Sequence, residues 1–75
     1  MIIFTDHAKL KCKQRGIAQS LVTRTLKQPD AQRPSREDRR IAYKKFNKLF
    51  LKVVYRREGK DMVVVTQHWD QHFTL

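Results

Sequence analysis

The chain has 75 residues and a formal net charge of +10, from 17 lysines and arginines against 7 acidic residues. This length allows one domain, residues 1–75, and leaves no room for a separate cofactor-binding domain. A hydrophobic fraction of 40% argues against full disorder, and no stretch approaches the ~20 apolar residues that a membrane span needs.

The chain begins with a predicted strand and a predicted helix. Residues 1–4, "MIIF", are β-prone. Thr5 or Asp6 can then cap a helix that runs to about Arg15, because a side-chain oxygen there satisfies the first free N–H groups. Gly16 supplies the left-handed residue that ends many helices.

A second helix is predicted from Ile17 to Gln28, and Pro29 stops it. Its apolar stripe consists of Ile17, Ala18, Leu21, Val22 and Thr25. The polar segment "PDAQRPSREDRR" that follows is predicted to be a linker with a mobile central part.

The second half of the chain has the period of two that is typical of strands. Strands are predicted at 40–46, 49–57 and 62–69, joined by tight turns at 47–48 and 58–61. The fold class is α+β, in the order β-α-α-β-β-β. We expect the helical hairpin to pack on one face of an antiparallel sheet, with the first strand at one side of that sheet.

The first predicted helix carries a row of groups that can all be positive. His7, Lys11 and Arg15 recur every fourth residue and therefore lie one above the other. Like charges at this spacing repel, and a phosphate would relieve the repulsion through charge-assisted hydrogen bonds. An imidazole at such a site can transfer a proton near neutral pH. The alternative is a histidine that packs locally beside solvated lysines.

A second group of cations lies on the strand predicted at 40–46. Arg40 and Lys44 share one face of this strand, and Tyr43 lies on the other. Cations interleaved with aromatics suit RNA, whose phosphates pair with cations and whose bases stack on aromatic rings. The alternative is a solvent-facing strand whose charges prevent edge-to-edge pairing.

The last strand supplies a second candidate for proton transfer. Thr66 and His68 lie on one face, and Gln67 and Trp69 lie on the other. An imidazole with a second imidazole or a lysine suffices for RNA cleavage by 2′-hydroxyl attack, which needs no metal and no cofactor. The one cysteine, Cys12, excludes an intrachain disulfide and indicates a reducing compartment, so we expect a cytoplasmic protein.

The charge suits three kinds of polyanion, namely nucleic acid, an anionic membrane surface and an acidic protein. The cations are distributed along the whole chain, which favours a phosphate-binding surface over a detachable basic tail. We therefore expect RNA as the partner and no membrane. A surface that is charged only for solubility is the alternative.

The segment "FTDHAKLKCKQRGI", residues 4–17, resembles a family of small basic prokaryotic proteins of unknown function. The family pattern is F-T-x-H-A-x-x-R-M-x-x-R-G-I, then a helix, a Pro-Asp turn, R-x-x-Y and a closing V-V-T-x-x-W/Y. The matching residues are Phe4, Thr5, His7, Ala8, Arg15, Gly16, Ile17, Pro29, Asp30, Arg40, Tyr43, Val65, Thr66 and Trp69. Lys11 and Cys12 depart from the pattern, and Lys11 keeps the charge but loses the bidentate geometry of arginine.

That family is similar to the RelE and BrnT toxins of the barnase–RelE-like ribonuclease fold. The similarity implies a helical hairpin on an antiparallel sheet and metal-independent RNA endonuclease activity, as the toxin component of a toxin–antitoxin system acting on mRNA. It also implies a small acidic antitoxin as a partner. The alternatives are a non-catalytic RNA-binding or ribosome-associated module and a protein-interaction module with an acidic partner.

In the endonuclease interpretation, His7 is the general base or acid and His68 is a second proton carrier. The cations assigned to the scissile phosphate are Lys11, Arg15 and Arg40. Tyr43 is expected to stack a base or to bind phosphate. Further contacts with RNA are predicted at Lys13, Arg39, Lys44, Lys45 and Lys52. Thr66 and Trp69 are expected to be structural.

Overall fold

The computed structural model describes residues 1–74. It contains two helices, α1 (Asp6–Arg15) and α2 (Gln19–Lys27). The five strands are β1 (Ile2–Phe4), β2 (Ala31–Pro34), β3 (Arg39–Phe46), β4 (Leu49–Glu58) and β5 (Asp61–Asp70). They form one sheet in the order β1-β5-β4-β3-β2. The α+β class and the antiparallel meander of the last three strands are therefore confirmed.

The sheet is mixed, so the expected antiparallel sheet is found only in part. The exception is the first strand, whose neighbour the sequence left undetermined. β1 runs parallel to β5, with Ile2 opposite Met62 and Phe4 opposite Val64. The other neighbours pair antiparallel. Parallel strands need a long crossover between them, and here the two helices and three other strands provide it.

The segment predicted as a mobile linker contains the edge strand β2, so that prediction was wrong. β2 pairs with β3, with Ala31 opposite Tyr43 and Pro34 opposite Arg40. Proline is tolerated here because one side of an edge strand makes no ladder hydrogen bonds. The turn after β2 places Glu37 at φ 57°.

Local signals define the ends of α1. The Thr5 hydroxyl accepts a hydrogen bond from the backbone N–H of Ala8 at 3.0 Å and donates one to the carbonyl of Val64 at 3.0 Å. Thr5 thus caps the helix and also attaches it to β5. At the other end Gly16 takes φ 64°, and its predicted role as the terminating residue is confirmed.

Both helices pack on the same face of the sheet. Cys12 and Ala8 of α1 lie against β5, while α2 lies over β3 and β4. α2 is shorter than predicted, because Ala18 is its N-cap and Gln28 its C-cap. The buried core contains Ala8, Cys12, Ile17, Val22, Leu26, Ala42, Leu51, Val53, Tyr55 and Val64. Among residues 1–74, no helix has the length and hydropathy that a bilayer crossing requires.

The other face of the sheet carries no helix, and we call it the open face. Strand register assigns to it the polar and aromatic residues Arg33, Arg39, Tyr43, Lys45, Phe50, Lys52, Arg56, Thr66, His68 and Asp70, together with the apolar Ile41, Val54 and Val63. A β-bulge opposite Val54 and Tyr55 adds one residue to β5. Because of this bulge, Lys52 lies opposite His68 rather than opposite Gln67.

Candidate functional site

A row of three polar side chains crosses the middle of the open face. Tyr43 of β3 pairs with Lys52 of β4, which in turn pairs with His68 of β5. Side chains that are directly opposite in neighbouring strands have Cβ atoms about 5 Å apart. The row therefore brings together two residues assigned to catalysis from the sequence, Tyr43 and His68, and one cation assigned to RNA binding, Lys52.

His68 is half-buried between positive groups. Burial is the largest cause that lowers its pKa, and the charges of Lys52 and Arg15 lower it further. Asp70 opposes these effects without reversing them. The imidazole is therefore neutral at pH 7, with a free lone pair that can accept a proton.

Arg15 connects α1 to this row. Its Nη1 atom donates a hydrogen bond of 2.7 Å to the carbonyl of Gln67 and one of 3.4 Å to the Thr66 hydroxyl. These contacts bring the guanidinium to the edge of β5 next to His68. A guanidinium has five N–H donors, so Arg15 keeps others for an anion.

Acidic neighbours divide the remaining cations of the open face into two groups. Arg39 forms an ion pair with Glu37, and Arg56 forms one with Glu58. The ion pairs of residues 1–74 include neither Arg33 nor Lys45 nor Lys52. Three cations of the open face therefore have no ion-pair partner among residues 1–74, and the Asp70 carboxylate is the acid near Lys52 and His68.

An aromatic stack covers one end of the row. The ring of Phe73 lies on the ring of Tyr43 with a centroid distance of 3.7 Å and an interplanar angle of 7°. Phe50 contacts Phe73 edge-on at 5.0 Å. The Cζ atom of Arg33 lies 5.0 Å from the Phe73 centroid and 5.9 Å from that of Tyr43. Burial raises the pKa of the Tyr43 hydroxyl, so it stays protonated.

Asp70 holds Phe73 in this position. Its Oδ1 atom accepts hydrogen bonds from the backbone N–H groups of His72 at 2.9 Å and of Phe73 at 3.1 Å. These hydrogen bonds lower the pKa of the carboxyl, with the His72 contact as the largest cause. The turn folds the chain after β5 back over the open face. An aspartate directly after a predicted strand is a known turn signal, and it could have indicated this reversal from the sequence.

The other residues assigned from the sequence lie outside this row. Of the α1 group, His7 and Lys13 are exposed, and Lys11 donates to Gln14 on its own helix at 3.2 Å. Only Arg15 of the predicted stripe reaches the sheet. The six residues assigned to catalysis therefore do not form one cluster.

Arg40 and Lys44 lie on the helix face, opposite to the face that carries His68. Lys44 donates from Nζ to the carbonyl of Gln28 at 2.9 Å and lies 3.8 Å from the Asp30 carboxylate. Its contacts stabilise the end of α2. Arg40 is exposed. Neither residue can serve the same phosphate as His68, since hydrogen bonds span only about 3 Å.

Cys12 is part of the core. Its sulfur accepts a hydrogen bond of 3.0 Å from Nε2 of the fully buried Gln67, which also donates to the carbonyl of Ala8 at 2.8 Å. Burial raises the pKa of the Cys12 thiol. The thiol is therefore a poor nucleophile at neutral pH.

An apolar groove lies at the end of the helix face, between α2 and the turn joining β3 to β4. Its walls are Leu21, Phe46, Asn47, Lys48, Leu49 and Trp69. Phe46 and Trp69 meet edge-on with centroids 6.2 Å apart. Trp69 packs against the core, which agrees with its predicted structural role.

The fold and this geometry define a class of small α+β proteins in which two helices cover one face of a mixed sheet. The opposite face of the sheet is basic and carries a histidine. The chain belongs to the family DUF4258, described as a domain of unknown function, whose model matches residues 4–67. Searches of the curated proteins and of the solved structures each returned no match.

Proposed function

We propose that this protein binds single-stranded RNA on the open face of its sheet and cleaves it without a metal. The observation that carries this proposal is His68, which is half-buried beside Lys52 and Arg15 and has a lowered pKa. A neutral imidazole next to two cations combines a proton acceptor with ligands for a phosphate. Three groups of this kind suffice for cleavage by 2′-hydroxyl attack.

In the proposed reaction, His68 accepts the proton of a ribose 2′-hydroxyl as its oxygen attacks the neighbouring phosphorus. Arg15 stabilises the additional negative charge on the phosphorane oxygens. The bond from phosphorus to the 5′-oxygen then breaks, and the Lys52 ammonium donates a proton to that oxygen. The products are a 2′,3′-cyclic phosphate and a free 5′-hydroxyl, and exchange with water restores both protein groups.

The neighbouring cations suit the phosphates on either side of the scissile bond. Arg33 and Lys45 face the same side of the sheet as His68, on either side of Tyr43. A single strand laid across β2 to β5 would follow these groups with its backbone. The sheet offers an RNA strand charge directly, and its aromatic rings Tyr43 and Phe50 are buried beneath Phe73. Charge and aromatic rings together are the combination that suits single-stranded RNA.

The proposal includes kinship with the RelE and BrnT toxins, a cytoplasmic location and an acidic antitoxin. The motif at residues 4–17 and the net charge of +10 support these points. The apolar groove beside Lys48 fits a partner segment that presents both acidic and apolar side chains. We expect growth arrest when the chain is expressed alone and relief when an acidic protein encoded by a neighbouring frame is co-expressed.

A cleavage assay on a labelled single-stranded RNA tests the catalytic assignment. His68→Ala should reduce the cleavage rate by about 10²- to 10⁴-fold, the usual contribution of a general base, with little change in RNA affinity. His7→Ala is the comparison variant and should lose less than tenfold. A large decrease of the cleavage rate in His7→Ala, with an unchanged rate in His68→Ala, would mean that the general base lies on α1.

A non-catalytic RNA-binding module is the second candidate. The stack of Tyr43 and Phe73 favours it, because base stacking beside Arg33 and Lys45 needs no imidazole. Such a module would leave RNA intact in both the wild type and His68→Ala. Its affinity would still fall steeply as salt rises.

A further inference from the structure

The Tyr43 ring is occupied by a side chain of the same protein in a geometry typical of nucleobases on aromatic platforms. The Phe73 ring lies parallel to it, with 3.7 Å between centroids and 7° between planes. Aromatic pairs in proteins prefer offset or edge-to-face arrangements over close face-to-face stacking. Phe50 already meets Phe73 edge-on, at an interplanar angle of 75°.

Arg33 lies beside the stack rather than on top of it. The Arg33 Cζ atom lies 5.0 Å from the Phe73 centroid and 5.9 Å from the Tyr43 centroid. A group on top of Phe73 would be much farther from Tyr43 than from Phe73. The guanidinium therefore flanks the position of the upper ring. A nucleotide whose base replaced Phe73 would have its sugar and phosphate at the side of the ring, where Arg33 can donate hydrogen bonds.

Apart from the contacts of the Phe73 ring with Tyr43, Phe50 and Arg33, the segment that carries Phe73 is held by two hydrogen bonds. Two hydrogen bonds to the Asp70 carboxylate form the turn, and both lie at or near the surface. The residues between Asp70 and Phe73, namely Gln71 and His72, are exposed. Phe73 can therefore leave Tyr43 without disturbing the ladder between β4 and β5.

We propose that Tyr43, Phe50 and Arg33 form a binding subsite for one unpaired nucleobase and its phosphate, and that Phe73 occupies this subsite until RNA displaces it. The inference rests on the proposed function, since it concerns the same open face. It adds two points to that function. The substrate has an unpaired nucleotide next to the scissile one, and the Phe73 side chain competes with this nucleotide for the subsite. RNA binding then includes the removal of Phe73 from Tyr43.

Equilibrium binding of a fluorescein-labelled oligouridine to the full chain tests the competition. Phe73→Ala should lower the Kd about two- to tenfold, the range to which the stacking free energy of an aromatic pair converts. Phe73→Tyr retains the stack and should bind like the wild type. Thr74→Ala, an exposed neighbour, controls for changes in the tail that leave the stack intact. An unchanged or higher Kd in Phe73→Ala would overturn the proposal.

A double variant checks where the base binds. If the base stacks on Tyr43, Tyr43→Leu combined with Phe73→Ala should cancel the gain of the single variant. Thermal melting shows whether that core substitution has unfolded the chain. A gain that persists in the folded double variant would place the base elsewhere and contradict the inference.

Uridine monophosphate provides a test in the wild type that needs no substitution. Titration with this nucleotide, followed by NMR, should shift the ring protons of Phe73 and Tyr43 toward their unstacked values. Binding that leaves the Phe73 ring signals unchanged refutes displacement but leaves the proposed ribonuclease intact. Loss of cleavage in His68→Ala supports the proposed ribonuclease. The predicted decrease of the Kd in Phe73→Ala supports the displacement of Phe73, and each result can be obtained without the other.

Discussion

His68 differs from the other two histidines in its surroundings. His7 and His72 are exposed, whereas His68 is half-buried between cations from two different elements. Those cations are Lys52, directly opposite on β4, and Arg15, which reaches β5 from the end of α1. Neither α1 nor β4 alone would place both of these cations beside the imidazole.

The effect of Lys52 on His68 can be measured directly. Lys52→Gln removes a positive charge that disfavours the imidazolium, so the pKa of His68 should rise toward its usual value near 6.5. NMR titration of the imidazole carbons gives this pKa without any assumption about activity. Lys60→Gln, in the turn between β4 and β5, is the matched control and should leave the His68 titration as it is.

The lowered pKa of His68 also has a consequence for stability. The unfolded chain binds a proton at this site more readily than the folded one does, so the contribution of His68 is complete above pH 6.5. It is lost as the pH falls through the lower folded pKa. His68→Gln should therefore flatten the dependence of urea stability on pH in that acidic window. Equal slopes in both proteins would mean that the surroundings of His68 do not disfavour its charged form.

At the level of elements, most helix and strand positions follow from local signals. Thr5 and Gly16 mark the ends of α1, and the two-residue turns at 47–48 and 59–60 mark the hairpins. β2 was not predicted because the prolines and charges of the surrounding segment, residues 29–40, are typical of a loop. Only pairing with β3 makes it a strand, and that pairing depends on residues outside the segment.

The candidate site was predictable only in part, and the β-bulge in β5 is the reason. Tyr43 opposite Lys52 follows from counting back from the turn at 47–48. The same counting from the second hairpin would put Gln67, not His68, beside Lys52. The extra residue that shifts the register has no sequence signal, because a valine run favours a strand with or without a bulge. Phe73 and Arg33 were missed because their contact joins segments that are 40 residues apart in the sequence.

Gln67 connects β5 to α1 at the cost of one unsatisfied atom. Its Oε1 has no hydrogen-bond partner among the described residues, although the residue is fully buried. Gln67→Met keeps the volume and removes that atom, so we expect the free energy of unfolding to change by less than about 1 kcal/mol. Gln67→Ala leaves a cavity and should lose about 2–4 kcal/mol.

Urea denaturation of both variants measures this difference. The carbonyl of Ala8 also accepts the usual hydrogen bond within α1. It therefore keeps one hydrogen bond when Gln67 is substituted. Equal destabilisation by methionine and alanine would mean that the hydrogen bond to Ala8, rather than packing, attaches α1 to β5.

At the level of the whole molecule, the two faces of the sheet differ in composition. The helix face contains the main apolar core, while Tyr43, Phe50 and Val63 are buried on the open face. The open face has cations without acidic partners on three strands, at Arg33, Lys45 and Lys52. If RNA binds there, charges on the outer side of the helices should contribute little.

Salt dependence of RNA affinity distinguishes the two sides. Lys45→Gln with Lys52→Gln removes two charges from the open face and should make the slope of log K against log salt shallower by about 1.4, at about 0.7 per phosphate contact. Arg24→Gln with Lys27→Gln removes the same charge from α2 and should leave the slope unchanged. Equal changes in both pairs would indicate a diffuse attraction with no preferred face.

The parallel pairing of β1 with β5 has a consequence for the way the protein is made. Thr5 contacts Val64, and Ala8 contacts Gln67, each pair 59 residues apart. α1 therefore lacks its main packing surface until β5 has left the ribosome, and contacts this distant slow folding. A nascent chain that lacks residues 61–70 exposes apolar side chains to chaperones and proteases. If the protein is a toxin, its nascent chain cannot fold into the active form, and so cannot act on the ribosome that makes it, until the final strand has been synthesised.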